Sequence, residues 1–189
     1  MHRAANGFRN LSLSVLDIRV AKLVEALCQV RRNMLHVERG GVVDILRLQY
    51  DDSYWHKTIS YARKCSWEAV GEHLAKMMEN NQFADWESVF IAIENDSVYG
   101  FCTFLKEDYY PENRYSPWIS TIFVDEKARG NRLSGKMIEK VIAYAKTNDL
   151  SMVYIPSDIQ GLYEKFGFMP IDTLMNYGGD YDTVFAKEI

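Results

Sequence analysis

Cysteine is scarce in this 189-residue chain, and Cys28, Cys65 and Cys102 are odd in number and far apart, so they spell no disulfide framework. Histidine is scarce too: His2, His36, His56 and His73 stand at no spacing that would join them to the cysteines around a metal ion. No apolar run approaches the roughly 20 residues that a bilayer-spanning helix requires, so no membrane partner is expected. Asp17, Arg19, Lys22 and Glu25 interrupt the region where a secretory leader would be apolar. A basic excess is also missing. With a formal charge of −4 the chain is poorly suited to nucleic acid, which is gripped chiefly by surplus Lys and Arg. These absences point to a cytoplasmic globular protein. Its 48% hydrophobic content suffices for one packed domain and an appended element.

The appended element comes first. Leu13, Leu16, Val20, Leu23, Leu27, Val30, Met34 and Val37 alternate by three and four residues, which predicts a long amphipathic helix ended by Gly40-Gly41. Such a stripe fits a coiled-coil seam in a homodimer, and equally a helix lying on its own domain. The division expected is therefore an amino-terminal helical extension, 1–40, and a main domain, 41–189.

Within that domain, residues 42–48 (VVDILRL) predict a strand, and Asp51-Asp52-Ser53 and Ser66-Trp67-Glu68 each open a helical stretch. Residues 89–93 (VFIAI) and 98–105 (VYGFCTFL), joined by Glu94-Asn95-Asp96-Ser97, predict a hairpin. A polar, aromatic loop (EDYYPENRYS) and a strand over 118–124 (WISTIFV) follow. Leu133, Met137, Ile138, Val141, Ile142 and Ala145 share one helical face. A strand over 152–155, a short helix over 158–166 and two strands near 168–175 and 181–186 complete the chain. The order β-α-α-β-β-β-α-β-α-β-β predicts an α/β (α+β) domain with a mixed, mostly antiparallel central sheet flanked by helices.

Between the 118–124 strand and the next helix lies FVDEKARGNRLSGKMI. Gly130-x-x-x-x-Gly135-Lys136 is a P-loop spelling without its last hydroxyl. Met137 stands where Ser or Thr would ligate Mg²⁺, and a thioether is a poor ligand for that hard cation. Five residues separate Val124 from Gly130, and the 52 residues beyond Met137 include an apparent antiparallel hairpin, so a parallel nucleotide-binding sheet has little material left. The alternative is a cradle for a coenzyme diphosphate, made of backbone N–H groups at a helix start.

Residues 122–138 (IFVDEKARGNRLSGKMI) and 161–168 (GLYEKFGF) resemble two motifs of the GNAT superfamily of N-acetyltransferases, and the resemblance runs from Val42 to the carboxyl terminus. It implies the GNAT acyl-CoA N-acyltransferase fold, with acetyl-CoA as cosubstrate and no metal. It implies that Ile122, Phe123 and Val124 pair their backbone with the pantetheine arm. Arg129, Gly130, Asn131, Arg132, Leu133, Ser134, Gly135 and Lys136 would form the pyrophosphate loop, with the Val124 N–H as oxyanion donor. Arg132 and Ser134 depart from the family's pattern, which has glycine or alanine there; their N–H groups remain, and Arg132 is a candidate to reach a coenzyme phosphate itself.

Tyr163 is the candidate general acid. A phenol near pKa 10 holds its proton at neutral pH and can pass it to a thiolate whose conjugate acid lies near 8.5. For the general base, Ser120 positioning a water and Asp85, Glu87, Glu107, Asp108 or Asp180 are left unranked. The expected activity is acetyl transfer to a primary amine of a small molecule or peptide. Two rivals are a non-catalytic acyl-CoA-binding sensor and a dimeric interaction protein.

Overall fold

The computed structural model describes residues 43–112 and 114–189, so the expected amino-terminal helix lies outside the described residues. Strand β1 (Asp44–Leu48) is followed by helices α1 (Trp55–Ala62) and α2 (Glu68–Glu79). Strands β2 (Ser88–Glu94), β3 (Ser97–Leu105) and β4 (Trp118–Val124) come next. A 3₁₀ turn (Glu126–Ala128), helix α3 (Leu133–Thr147) and β5 (Met152–Ser157) follow. A second 3₁₀ turn (Tyr163–Phe166), β6 (Met169–Met175) and β7 (Tyr181–Glu188) end the chain.

The strands form one sheet in the order β1-β2-β3-β4-β5-β7-β6, antiparallel except for β4 beside β5. The β2–β3 hairpin closes on Asn95 and Asp96 at φ of 48° and 63°. Those are residues whose short polar side chains tolerate the left-handed region that such a turn demands.

Alternation explains how the sheet is covered. Val89 and Ile91 of β2 pack with α1 and α2, against Trp55, Ile59, Leu74 and Met78. Phe90 and Ala92 point the other way, into the cluster containing Leu133, Met137, Ile138 and Val141 of α3. A strand buried on both faces reads as a continuous apolar run, as VFIAI does. Each large side chain so buried contributes about 1.5–3 kcal/mol.

One junction is built differently. Strands β4 and β5 share the single ladder pair Trp118↔Tyr154, with the Tyr154 N–H donating to the Pro117 carbonyl at 3.0 Å. The next β5 residue whose nitrogen faces β4 is Pro156, which has no N–H, so the ladder ends there for want of a donor. Across β4, the register against β3 slips between Phe101/Thr103, leaving an extra residue on β4. Thr121 sits in this bulge at φ 49°, and its hydroxyl meets that of Thr103 at 3.0 Å. A bulge bends and twists its strand. The two strands therefore part beyond Trp118, while β5 continues to Ser157 against β7.

The expected helix over 158–166 is corrected to the 3₁₀ turn Tyr163–Phe166. Gly161 takes φ +75°, which no right-handed helix can pass through, and the Ser157 hydroxyl accepts the Ile159 N–H in a local turn. This turn packs on α3 at Gly135, where a Cβ would lie 2.6 Å from the Phe166 ring. Gly135→Ala must displace that ring and with it the Tyr163 turn. The expected cost is about 1–3 kcal/mol, read as a lower urea midpoint at unchanged slope.

Candidate functional site

The segment leaving β4 is organised by its own side chains. The Asp125 carboxylate accepts the Lys127 N–H at 3.0 Å and starts the first 3₁₀ turn. Arg129 folds back: its Nε donates to the Val124 carbonyl at 3.2 Å and its Nη2 to Glu126 Oε1 at 2.9 Å. Ser66 donates to the same Glu126 oxygen at 2.5 Å, and this bond, ahead of the charge of Arg129, holds the Glu126 carboxyl below its ordinary pKa. The Arg129 guanidinium is thus occupied in clamping the loop, and its backbone N–H is engaged as well, donating to the Glu126 carbonyl at 3.4 Å.

Gly130 turns the chain at φ +84°, with open space where a Cβ would stand. Asn131 ties back to the Ala128 carbonyl through its side-chain amide at 3.1 Å. Arg132 then takes the left-handed conformation at φ 56°, the region that favours glycine. For an L-residue this costs about 1–2 kcal/mol. Its side chain is exposed and makes no hydrogen bond or ion pair among the described residues.

Arg132 is also the N-cap of α3, and it offers no side-chain acceptor to the helix. The first intrahelical bond runs from the Lys136 N–H to the Arg132 carbonyl at 3.0 Å. The Leu133, Ser134 and Gly135 amides at the helix start accordingly lack intrahelical acceptors and carry the positive end of its dipole. The Lys136 amide does not belong to this set, although its side chain is exposed beside it.

The register fixes which edge of β4 is open. Asp125 N–H donates to the Tyr99 carbonyl at 2.8 Å, one step beyond the Val124↔Gly100 pair. Alternation then turns the Phe123 amide toward β3 and the Val124 amide toward the parting from β5. The Ile122 and Val124 side chains pack in the α3 cluster and that of Phe123 in the α1–α2 cluster.

Tyr163 belongs to the α3 cluster too, with Ala128 and Leu133 from the loop and helix start. Its ring lies 5.5 Å from that of Phe185 and is 6% exposed. Burial raises the phenol above its ordinary pKa, against the opposing pull of the Ser157 hydroxyl at the end of β5.

On the other face, Ser120 of β4 is buried and donates to Asp108 Oδ2. The Tyr109 N–H donates to the second oxygen of Asp108 at 2.7 Å. Nearby, the Tyr110 hydroxyl and the Asn176 side-chain amide both donate to Asp182 Oδ2, at 2.7 and 3.0 Å. The loop carrying Asp108 is tied to the β6–β7 turn by the Tyr177 N–H and the Tyr109 carbonyl, and Tyr110 stacks on Trp118 at 5.6 Å.

Of the unranked carboxylates, Asp108 alone bonds a β4 side chain. Glu87 is occupied by the Lys106 and Ala84 amides, and Asp85 lines a separate hollow of about 250 Å³ with Arg47 and Tyr50. Asp182 was not among the sequence candidates. Its only signal is a carboxylate beside the apolar run 184–186 of its strand, and its neighbour Tyr110 is 72 residues away.

The comparisons agree on the architecture. No curated protein matches the chain. Among solved structures, an aminoglycoside 6′-acetyltransferase type Ii shares the fold at TM-score 0.61 and 16% identity, covering 77% of this chain and 96% of its own. An aminoglycoside 6′-N-acetyltransferase complexed with coenzyme A matches at TM-score 0.60 and 14% identity, over 77% and 96%. A GNAT family acetyltransferase from Elizabethkingia anophelis with acetyl-CoA bound matches at 0.52 and 15%, over 79% and 99%. At these identities the likeness shows the fold. Residues 47–168 match the acetyltransferase (GNAT) family itself, most of the described domain and more than half of the sequence, and the chain therefore belongs to that family.

Proposed function

We propose that this acetyltransferase moves the acetyl group of acetyl-CoA directly to a primary amine of a small molecule or peptide. One observation carries the reading: uncapped amides at the start of α3 stand beside two strands that have parted, with Tyr163 packed into the same cluster. The donor set suits a coenzyme diphosphate, since the Leu133, Ser134 and Gly135 amides combine with the helix dipole and the exposed Arg132 and Lys136. Hydrogen bonds to a charged partner contribute about 1.5–3 kcal/mol each. The Val124 edge suits an extended amide-bearing arm, which can take the place of the missing β5 ladder.

Acetyl-CoA supplies an activated thioester, so the protein's work is positioning and proton handling. Holding amine and carbonyl in line removes roughly 7–11 kcal/mol of barrier in favourable systems. Tyr163, kept protonated by burial, gives its proton to the departing thiolate. A small-molecule acceptor draws support from the fold's likeness to aminoglycoside N-acetyltransferases.

Two outcomes are expected. Tyr163→Phe lowers kcat by about 10²-fold or more while calorimetry finds acetyl-CoA bound as tightly as before; unchanged turnover removes the tyrosine from the mechanism. Arg132→Ala raises the acetyl-CoA Kd by about tenfold, the loss of one charge-assisted contact; an unchanged Kd means that the guanidinium touches no phosphate. Coenzyme release measured against a panel of amines tests the activity itself, and binding without release on any amine would favour a sensor.

A further inference from the structure

We propose that the Asp108 carboxylate, acting through the Ser120 hydroxyl, takes the proton from the acceptor ammonium at the closed end of the β4–β5 parting. The assignment rests on the acetyl-transfer reading above and supplies the base which that reading lacks.

Position is the first argument. Ser120 lies two residues beyond Trp118, the last β4 residue to pair with β5, so its hydroxyl stands where the strands begin to separate. Ile119 and Ile122 face the α3 cluster, whereas Phe123 faces α1 and α2. With the bulge at Thr121, Ser120 falls on the same side as Phe123. The diphosphate loop leads into the helix on one face of the sheet, and Asp108 with Ser120 sits on the opposite one. A thioester laid in the parting can then be met by an amine arriving from the Asp108 side.

Chemistry is the second. An ordinary carboxylate near pKa 3.9 is a feeble base toward an ammonium near 10, and each step upward narrows that gap. The surroundings of Asp108 push in that direction. Burial is the chief cause, and the Asp182 carboxylate on β7 adds repulsion. Ser120, the Tyr109 N–H and His73 of α2 pull the other way, and the Tyr110 phenol faces the pair while bonded to Asp182. The net displacement is upward. Asp182 is thus a positioning residue that acts through charge.

The protons balance. An ammonium N–H breaks and an O–H forms on Asp108, relayed by Ser120. The freed amine forms its C–N bond to the acetyl carbon as the C–S bond breaks. Tyr163 protonates the thiolate, and the second nitrogen proton leaves to restore the tyrosine. One proton is released overall, from Asp108 to solvent.

The test compares the pH dependence of coenzyme release in the parent, Asp108→Asn, Ser120→Ala and Asp182→Asn. In the parent, kcat/KM falls on the acid side as Asp108 takes up its proton. Asp108→Asn is expected to lose about 10²-fold or more in kcat and to lose that acid limb, with acetyl-CoA binding unchanged. Asp182→Asn is expected to keep the limb and move it to lower pH, a shift that a merely structural role would not produce. Stability separates this from misfolding. Because the folded pKa is raised, stability falls as pH climbs from the unfolded toward the folded value, so the parent carries the cost at neutral pH and Asp108→Asn does not. The variant should melt no lower than the parent at pH 7. An Asp108→Asn enzyme with parental kcat and an intact acid limb overturns the assignment. A parent that binds acetyl-CoA yet releases coenzyme with no amine overturns the transfer reading, and the base falls with it.

Discussion

A missing hydrogen bond organises this domain. Pro156 has no N–H to offer β4, and the bulge at Thr121 twists β4 away from where that bond would have formed. An open seam in the middle of a sheet leaves backbone donors without partners, which is costly unless something else satisfies them. The exposed edge at Val124 and the uncapped start of α3 adjoin that seam. Both are flaws considered as folding, and both are the features on which the proposed coenzyme site rests. They are also paired with strain, since Thr121 and Arg132 each hold a left-handed conformation that costs about 1–2 kcal/mol.

The two motifs around the seam are mechanically coupled. Gly135 and Phe166 touch so closely that a methyl group would not fit between them, and Phe166 ends the turn that Tyr163 begins. The helix start therefore locates the phenol. The P-loop spelling Gly130-x-x-x-x-Gly135-Lys136 dissolves under the same geometry. Gly130 provides a turn at positive φ, Gly135 provides clearance for an aromatic ring, and neither needs Mg²⁺ or a nucleotide to explain it. Arg129 likewise acts inside the protein, holding Val124 and Glu126 together.

Much of the architecture was legible because periodicity reports burial. VFIAI betrayed a strand covered on both faces, Asn95-Asp96 betrayed the hairpin, and the stripe of α3 reproduced the helix face that packs. The segment before Tyr163 was misjudged because one glycine at positive φ outweighed helical composition over nine residues. The candidate base was illegible for another reason. Asp108 matters through Ser120 on the next strand and Asp182 near the carboxyl terminus, contacts made by sheet order rather than by spacing. Nothing local distinguishes it from Glu107, which is its exposed neighbour.

Hydrogen exchange of individual amides, with and without saturating acetyl-CoA, tests the central claim most directly. The account predicts that Val124, Leu133, Ser134 and Gly135 exchange quickly in the free protein, despite lying in or beside regular structure, and become protected when acetyl-CoA binds. Amides already protected without ligand, or left unprotected at saturation, would contradict it.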